Sequence, residues 1–198
     1  MREPVLADLH AVLAAVRRRL TAPSRLYLVC RTTHLAEGWT TVVPALELAG
    51  DAHSPHVEQA AREAAEGLGV ELVWESPADI IPLPTGWELR ARPFALNDGD
   101  GPLEVRHFDP YSVVLRLIAR GDEPDYVAAL EYIRHGWVNP QQLEALFVEV
   151  TPRMTNQTLA QDPAEFRRKF KGLRQLYQRD HAAYSPGGTR AVEAAATA

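Results

Sequence analysis

Arg25-Leu-Tyr-Leu-Val-Cys-Arg-Thr-Thr-His-Leu-Ala-Glu-Gly-Trp39, followed by Thr40-Thr-Val-Val-Pro-Ala-Leu-Glu-Leu48, is the stretch whose reading decides the fold. It reads as a strand over 25–30, a tight turn, one short helix, and a second strand over 40–48. The rest of the chain is organised around this frame.

Upstream, Val5, Leu6, Leu9, Val12, Leu13, Val16 and Leu20 recur at spacings of three and four, which predicts an amphipathic helix over 3–20. Its end, Arg17-Arg18-Arg19, suits the negative pole of a helix dipole, and Ala22-Pro-Ser24 breaks it. Downstream, Ser54-Pro55 reads as a cap with proline at the first helical position, opening a helix that stops at Gly69. Residues 70–74 read as a third strand. Ile80-Ile-Pro-Leu-Pro84 holds too many prolines for regular structure. Residues 86–96 and 102–108 read as two strands joined by Asn97-Asp-Gly-Asp-Gly101, a hairpin connector that lacks the later ligands of a calcium loop. From Asp109 the pattern turns helical, with starts at Asp109-Pro110, Asp122, Asn139-Pro140 and Asp162-Pro163-x-Glu165. The Gly-, Pro- and Ala-rich end reads as a disordered tail. The expected organisation is an α/β core over 1–108, a helical region over 109–184 and a tail over 185–198.

A chain of 198 residues with 46% hydrophobic residues is long enough for a proper core. Its net charge of −5 argues against a surface coated in basic charge for nucleic acid, though not against a local basic patch. A single cysteine, Cys30, excludes an intramolecular disulfide framework and a cysteine-cluster zinc site. No apolar run approaches the roughly 18 residues that span a membrane, and no signal-peptide layout is visible. The expectation is a cytoplasmic protein without a membrane partner.

In this frame the chain resembles bacterial nucleotidyltransferase-like proteins, relatives of abortive-infection toxins and minimal nucleotidyltransferases of the toxin–antitoxin kind. The resemblance runs from about Arg25 to Arg168. It rests on the order and spacing of Trp39, Ser76-Pro77, Pro82-Leu83-Pro84, Gly86-Trp87, His107-Phe-Asp109-x-Tyr111, Arg120-Gly121, Asp125 and Phe166-Arg167-Arg168. It implies an α+β fold, with a mixed sheet of about five strands flanked by helices and a helical C-terminal region.

The resemblance also implies what the chain lacks. In that family two glycines follow the first strand so that a triphosphate can approach the backbone. Two carboxylates one residue apart on the next strand, with a third from a neighbouring strand, hold divalent metal. The corresponding positions here are Cys30 and Arg31, Val43 and Ala45, and Val73, with Leu117 in place of a family lysine. Thr32, after the glycine pair, is kept. No catalytic residue and no metal ligand is therefore expected, and no cofactor; magnesium and a nucleoside triphosphate would enter only if the site were rebuilt. Strand parity makes Glu47, Glu71 and Glu75 the candidate relocated carboxylates, and Arg31 and Thr32 the candidates at the old phosphate position. Arg31 is expected to plug that position, bonded to Glu71 or Glu75, with Glu47 as a third candidate.

Residues 163–184 carry six Lys and Arg against two Asp and Glu. Arg167, Arg168 and Lys169, with Arg17, Arg18 and Arg19, are candidates for a nucleic-acid patch. His34, in the short helix after the turn, reads as a surface or partly buried histidine rather than a catalytic one, and His107, before a helix cap, as serving packing or hydrogen bonding; His53 and His56 are too isolated from other ligand types to claim a metal. Three functions stay open: a pseudoenzyme that binds a protein partner, a ligand or itself; an active transferase with relocated carboxylates, acting on protein or RNA; and a nucleic-acid-binding module.

Overall fold

The computed structural model describes residues 1–51, 55–95, 101–154 and 162–184. The expectations for Ser54, His53, most of the 97–101 connector and the 185–198 tail lie outside the described residues. The elements follow in the order α1 (Leu6–Arg19), β1 (Ser24–Leu28), α2 (Cys30–Ala36), β2 (Leu46–Gly50), α3 (Pro55–Leu68), β3 (Leu72–Trp74), α4 (Trp87–Arg90), β4 (Arg92–Pro93) and β5 (Leu103–His107). Four helices then close the described chain: α5 (Pro110–Arg120), α6 (Glu123–Arg134), α7 (Pro140–Val150) and α8 (Pro163–Tyr184), with a short 3₁₀ turn over Thr151–Arg153.

The five strands form one mixed sheet in the order β3-β2-β1-β5-β4. β1 pairs antiparallel with β2, Leu28 facing Leu48, and parallel with β5, Leu28 facing His107. β2 pairs parallel with β3, Glu47 facing Val73. The fold is thus α+β, with a five-stranded mixed sheet flanked by helices and a helical C-terminal region.

Strand alternation sorts the core into two layers. Leu26, Leu28, Leu46, Leu48 and Val105 face one way and pack with Leu9, Leu13 and Val16 of α1 and Val57 and Ala61 of α3. Tyr27, Val29 and Ala49 face the other way, into a second layer with α5, α6 and α8. α5 is buried from Pro110 to Ala119. It is hydrophobic nearly all round, as the central helix of a layer must be. Asp109 starts it, accepting from the amides of Tyr111 and Ser112 at 3.2 and 3.3 Å. Arg90 holds the same carboxylate through two bonds, at 3.0 and 2.8 Å. Among the described residues no helix is long and apolar enough to cross a membrane.

Two strand expectations are corrected. The second strand does not run over 40–48 but begins at Leu46. The Val43 amide donates instead to the Pro4 carbonyl at 3.1 Å, and its side chain packs with the α1–α3 layer. Residues 86–96 do not form one strand. Gly86, at φ 71°, starts the helical turn α4, and only Arg92–Pro93 pairs with β5. Proline fits there because β4 is an edge strand, where a missing amide costs no ladder bond.

Candidate functional site

β1 ends at Leu28, and α2 begins one residue later. At this corner Cys30 takes φ 47°, the only positive φ at a non-glycine among the described residues. Left-handed backbone brings a Cβ too close to the carbonyl and favours glycine, so the turn is of a kind that glycine suits, with a cysteine in it. Cys30 is fully buried, and its carbonyl accepts the Tyr132 hydroxyl at 2.9 Å. Burial, and then the Glu47 carboxylate, push its thiol well above the ordinary pKa.

The turn directs the Arg31 amide at β2, where it donates to Glu47 Oε2 at 2.7 Å. The Arg31 guanidinium stands 3.5 Å from Glu47 Oε1 and donates to Asp125 Oδ1 at 3.1 Å. Asp125, in the first turn of α6, also accepts from Arg120 at 3.1 and 2.8 Å. Arg120 lies 3.7 Å from Glu75. Glu75 in turn accepts from Arg116, which reaches the Ser76 carbonyl at 2.9 Å and the Asp79 carboxylate. The charges therefore alternate along one chain: Glu47, Arg31, Asp125, Arg120, Glu75, Arg116, Asp79. It joins the sheet to α5 and α6.

Burial differs along this chain. Glu47, Glu75, Arg116 and Asp125 are buried, Arg31 and Arg120 are about a quarter exposed, and Asp79 is exposed. Glu47 has its pKa raised, chiefly by desolvation, against the lowering pull of the Arg31 amide and guanidinium. An unpaired charge at such depth would cost several kcal/mol on the order of a broken buried pair. Alternation is the arrangement that avoids that cost.

Arg31 is bonded to carboxylates, and two of the partners expected for it are corrected. Glu71 is exposed, and Glu75 is occupied by Arg116 and Arg120. The partners are Glu47 and Asp125. Thr32 is fully buried, and its hydroxyl accepts the Glu47 amide at 2.6 Å, so it serves the turn rather than an open phosphate position. Val43 and Ala45 are buried but lie before the strand, Val73 is 37% exposed on β3, and Leu117 is a core residue. The strand-borne carboxylate of β2 is Glu47.

Among the described residues, no three His, Cys, Asp or Glu side chains converge as a metal site. The residues present do not fit the divalent ion that the family resemblance implies. Glu47 and Glu75 lie on one side of the sheet, yet each is held by a guanidinium that an ion would have to displace.

Beside the turn, His34 is buried between Trp39 and Tyr132, at ring distances of 5.0 and 4.8 Å. Its Nε2 has no hydrogen-bond partner among the described residues. Burial, with Arg31 and His135 nearby, lowers its pKa to about 4. His107, also buried, lies 3.3 Å from Thr33 Oγ1 through Nδ1 and 3.0 Å from Glu37 through Nε2. Burial, then Arg92, lowers it to about 4 as well. Neither histidine is presented to a ligand.

The two basic clusters do not form one patch. α1 packs with α3 on one side of the sheet, and α8 packs with α5 and α6 on the other. Arg19 is bonded to Glu63 at 2.6 Å, while Arg18 is exposed and Arg17 half-buried. On α8, Arg167 and Arg168 are exposed. Lys169 instead caps α5, donating to the carbonyls of Ala119 and Arg120 at 2.6 and 2.8 Å.

Sequence reasoning named Arg120 and Asp125 only as points of resemblance and passed over Arg116. Its signal was present: one arginine in the middle of the apolar run Val113-Val-Leu-Arg-Leu-Ile118. Such a residue is buried only if carboxylates meet it. No protein family, curated protein or solved structure matches the chain.

Proposed function

We propose that this is a catalytically silent protein of the nucleotidyltransferase-like type, which acts by binding rather than by phosphoryl chemistry. The observation that carries the reading is the Arg31–Glu47 contact at the left-handed Cys30 turn. A turn that would present backbone amides to a triphosphate instead presents one to an internal carboxylate. The guanidinium then occupies the space in front of it. Resemblance supplies the family, and the closed ion chain supplies the silence.

The competing reading is a rebuilt metal site. Glu47 and Glu75 favour it by lying on the same side of adjacent strands, but three arginines already neutralise the carboxylates around them. Titration of the full chain with magnesium and ATP by calorimetry separates the two. No binding heat is expected. Micromolar binding that disappears with chelator would overturn the proposal and make Glu47 and Glu75 ligands.

A further inference from the structure

A cleft of about 510 Å³ opens where β2 and β3 end, lined in part by Glu75 of the ion chain. That volume falls in the range of small-molecule sites, roughly 300–1,000 Å³. Its floor is aromatic. Tyr27 lies edge-on to Trp87 and Phe108 at 5.8 and 5.3 Å, and Trp87 stacks on Phe108 at 4.7 Å. A fourth ring, Trp74, forms a wall. It can lie against β2 only because Gly50 has no side chain, since a Cβ there would meet the indole at 2.8 Å.

The charged side chains that line this cleft have one sign, although Arg25 and Arg106 lie near enough to act on the Tyr27 hydroxyl. Asp51, Glu58 and Glu75 line it, and no arginine, lysine or histidine does. Two of these carboxylates are engaged: Glu58 accepts from Arg62 at 2.9 Å, and Glu75 is bound by Arg116. Asp51 is exposed and, among the described residues, has no ion-pair partner.

From this we infer that the cleft is a binding site for a small organic cation, a protonated amine carried on an apolar or aromatic body. Trp74 and Trp87, the half-buried rings of the four, take the body by stacking and apolar burial, and their negative faces favour the cation. Asp51 supplies the counter-charge at the mouth. Neutral apolar molecules would leave that carboxylate unused, and an anion would meet it with repulsion. The inference rests on the binding function proposed above, and it names the ligand class for it.

The test is tryptophan fluorescence or calorimetry on the full chain with three probes of one shape: phenethylamine, 2-phenylethanol and 3-phenylpropionate. Saturable binding of the amine is expected, at least fivefold tighter than the alcohol, with no binding of the acid. Asp51→Asn should weaken the amine about fivefold, as loss of a solvent-exposed ionic contact would. It should leave the alcohol unchanged. Gly50→Ala, which pushes the Trp74 ring aside, should weaken both. Absence of saturable amine binding, equal affinity for amine and alcohol, or an unchanged Asp51→Asn affinity would each overturn the inference. The magnesium–ATP titration reads the silent-site proposal separately, so either can fail while the other stands.

Discussion

The Arg31 amide and the Glu47 carboxylate meet at 2.7 Å, and the Arg31 guanidinium returns to the same carboxylate at 3.5 Å. One residue thus gives both its backbone donor and its side-chain charge to a buried acid on the neighbouring strand. The acid is short of solvent, as its raised pKa reflects, and the arginine is what makes its ionised form tolerable at that depth. The turn, the strand and α6 are tied together by one side chain.

Replacing Arg31 should therefore destabilise the protein rather than free a ligand site. Arg31→Met keeps much of the apolar stem and removes the charge from between Glu47 and Asp125. The expected loss is about 2 kcal/mol, below the cost of a fully buried broken pair because the guanidinium is partly exposed. Urea unfolding would measure it. A variant as stable as wild type would mean that the pairing contributes nothing.

Acid should weaken the fold before the ordinary carboxylates titrate. His34 and His107 are held to about 4 in the folded chain, against about 6.5 when unfolded. Below the unfolded value the unfolded chain takes up protons that the folded chain refuses, so stability falls as pH drops from 6.5 towards 4. His34 contributes a loss on the order of 2 kcal/mol by pH 4.5, and His107 contributes less, because the Glu37 carboxylate 3.0 Å from its Nε2 favours the protonated ring. Glu47, whose pKa is raised by burial, works in the opposite sense and offsets part of this just above its unfolded value. His34→Phe retains the stack with Trp39 and Tyr132, and its stability should fall less between pH 7 and 4.5 than that of the wild type. Parallel stability profiles for the two proteins would show that His34 is not the group being titrated.

These residues show where a sequence can be read and where it cannot. Helix starts at Asp109, Asn139 and Asp162 were legible because a cap is local: each side chain bonds an amide two residues on. The second strand was misplaced because Thr40–Val43 has the β-branched content of a strand, whereas Val43 is claimed by the distant Pro4 carbonyl. Residues 86–96 failed for a similar reason, since strand pairing is a long-range outcome that local alternation does not determine. At the site, Glu47 was legible from parity, and Arg31 was expected to need an acid. Asp125 was not foreseen as that acid because it lies 94 residues further on, on a helix whose docking only the packed core decides.

Lys169 separates a structural role from a nucleic-acid role on α8. Its amine caps the last carbonyls of α5, next to Gly121 at φ 73°. Lys169→Met should cost about 1 kcal/mol through the lost cap bonds. Reversing the exposed Arg167 and Arg168 to Glu should change stability by no more than about 0.5 kcal/mol. If α8 binds nucleic acid, the double reversal should abolish binding in a low-salt mobility assay. Undamaged binding in that variant would remove this face from consideration.

Cys30 offers the sharpest test of the turn. At φ 47° a side chain strains the backbone by roughly 1–2 kcal/mol relative to glycine. The same side chain is fully buried, so deleting it forfeits about 1 kcal/mol of packing. In Cys30→Gly the two effects oppose each other, and stability should stay close to wild type. In Cys30→Ala the packing is lost while the Cβ strain remains, so that variant should be about 1 kcal/mol less stable. Glycine would then rank above alanine at a position that opens a helix, the reverse of the usual order, in which glycine is worse by about 0.5–1 kcal/mol. Chemical denaturation of the two variants side by side decides it. Alanine above glycine would mean that the left-handed turn is not imposed on Cys30 in solution. The geometry that turns the Arg31 amide onto Glu47 would then need another cause.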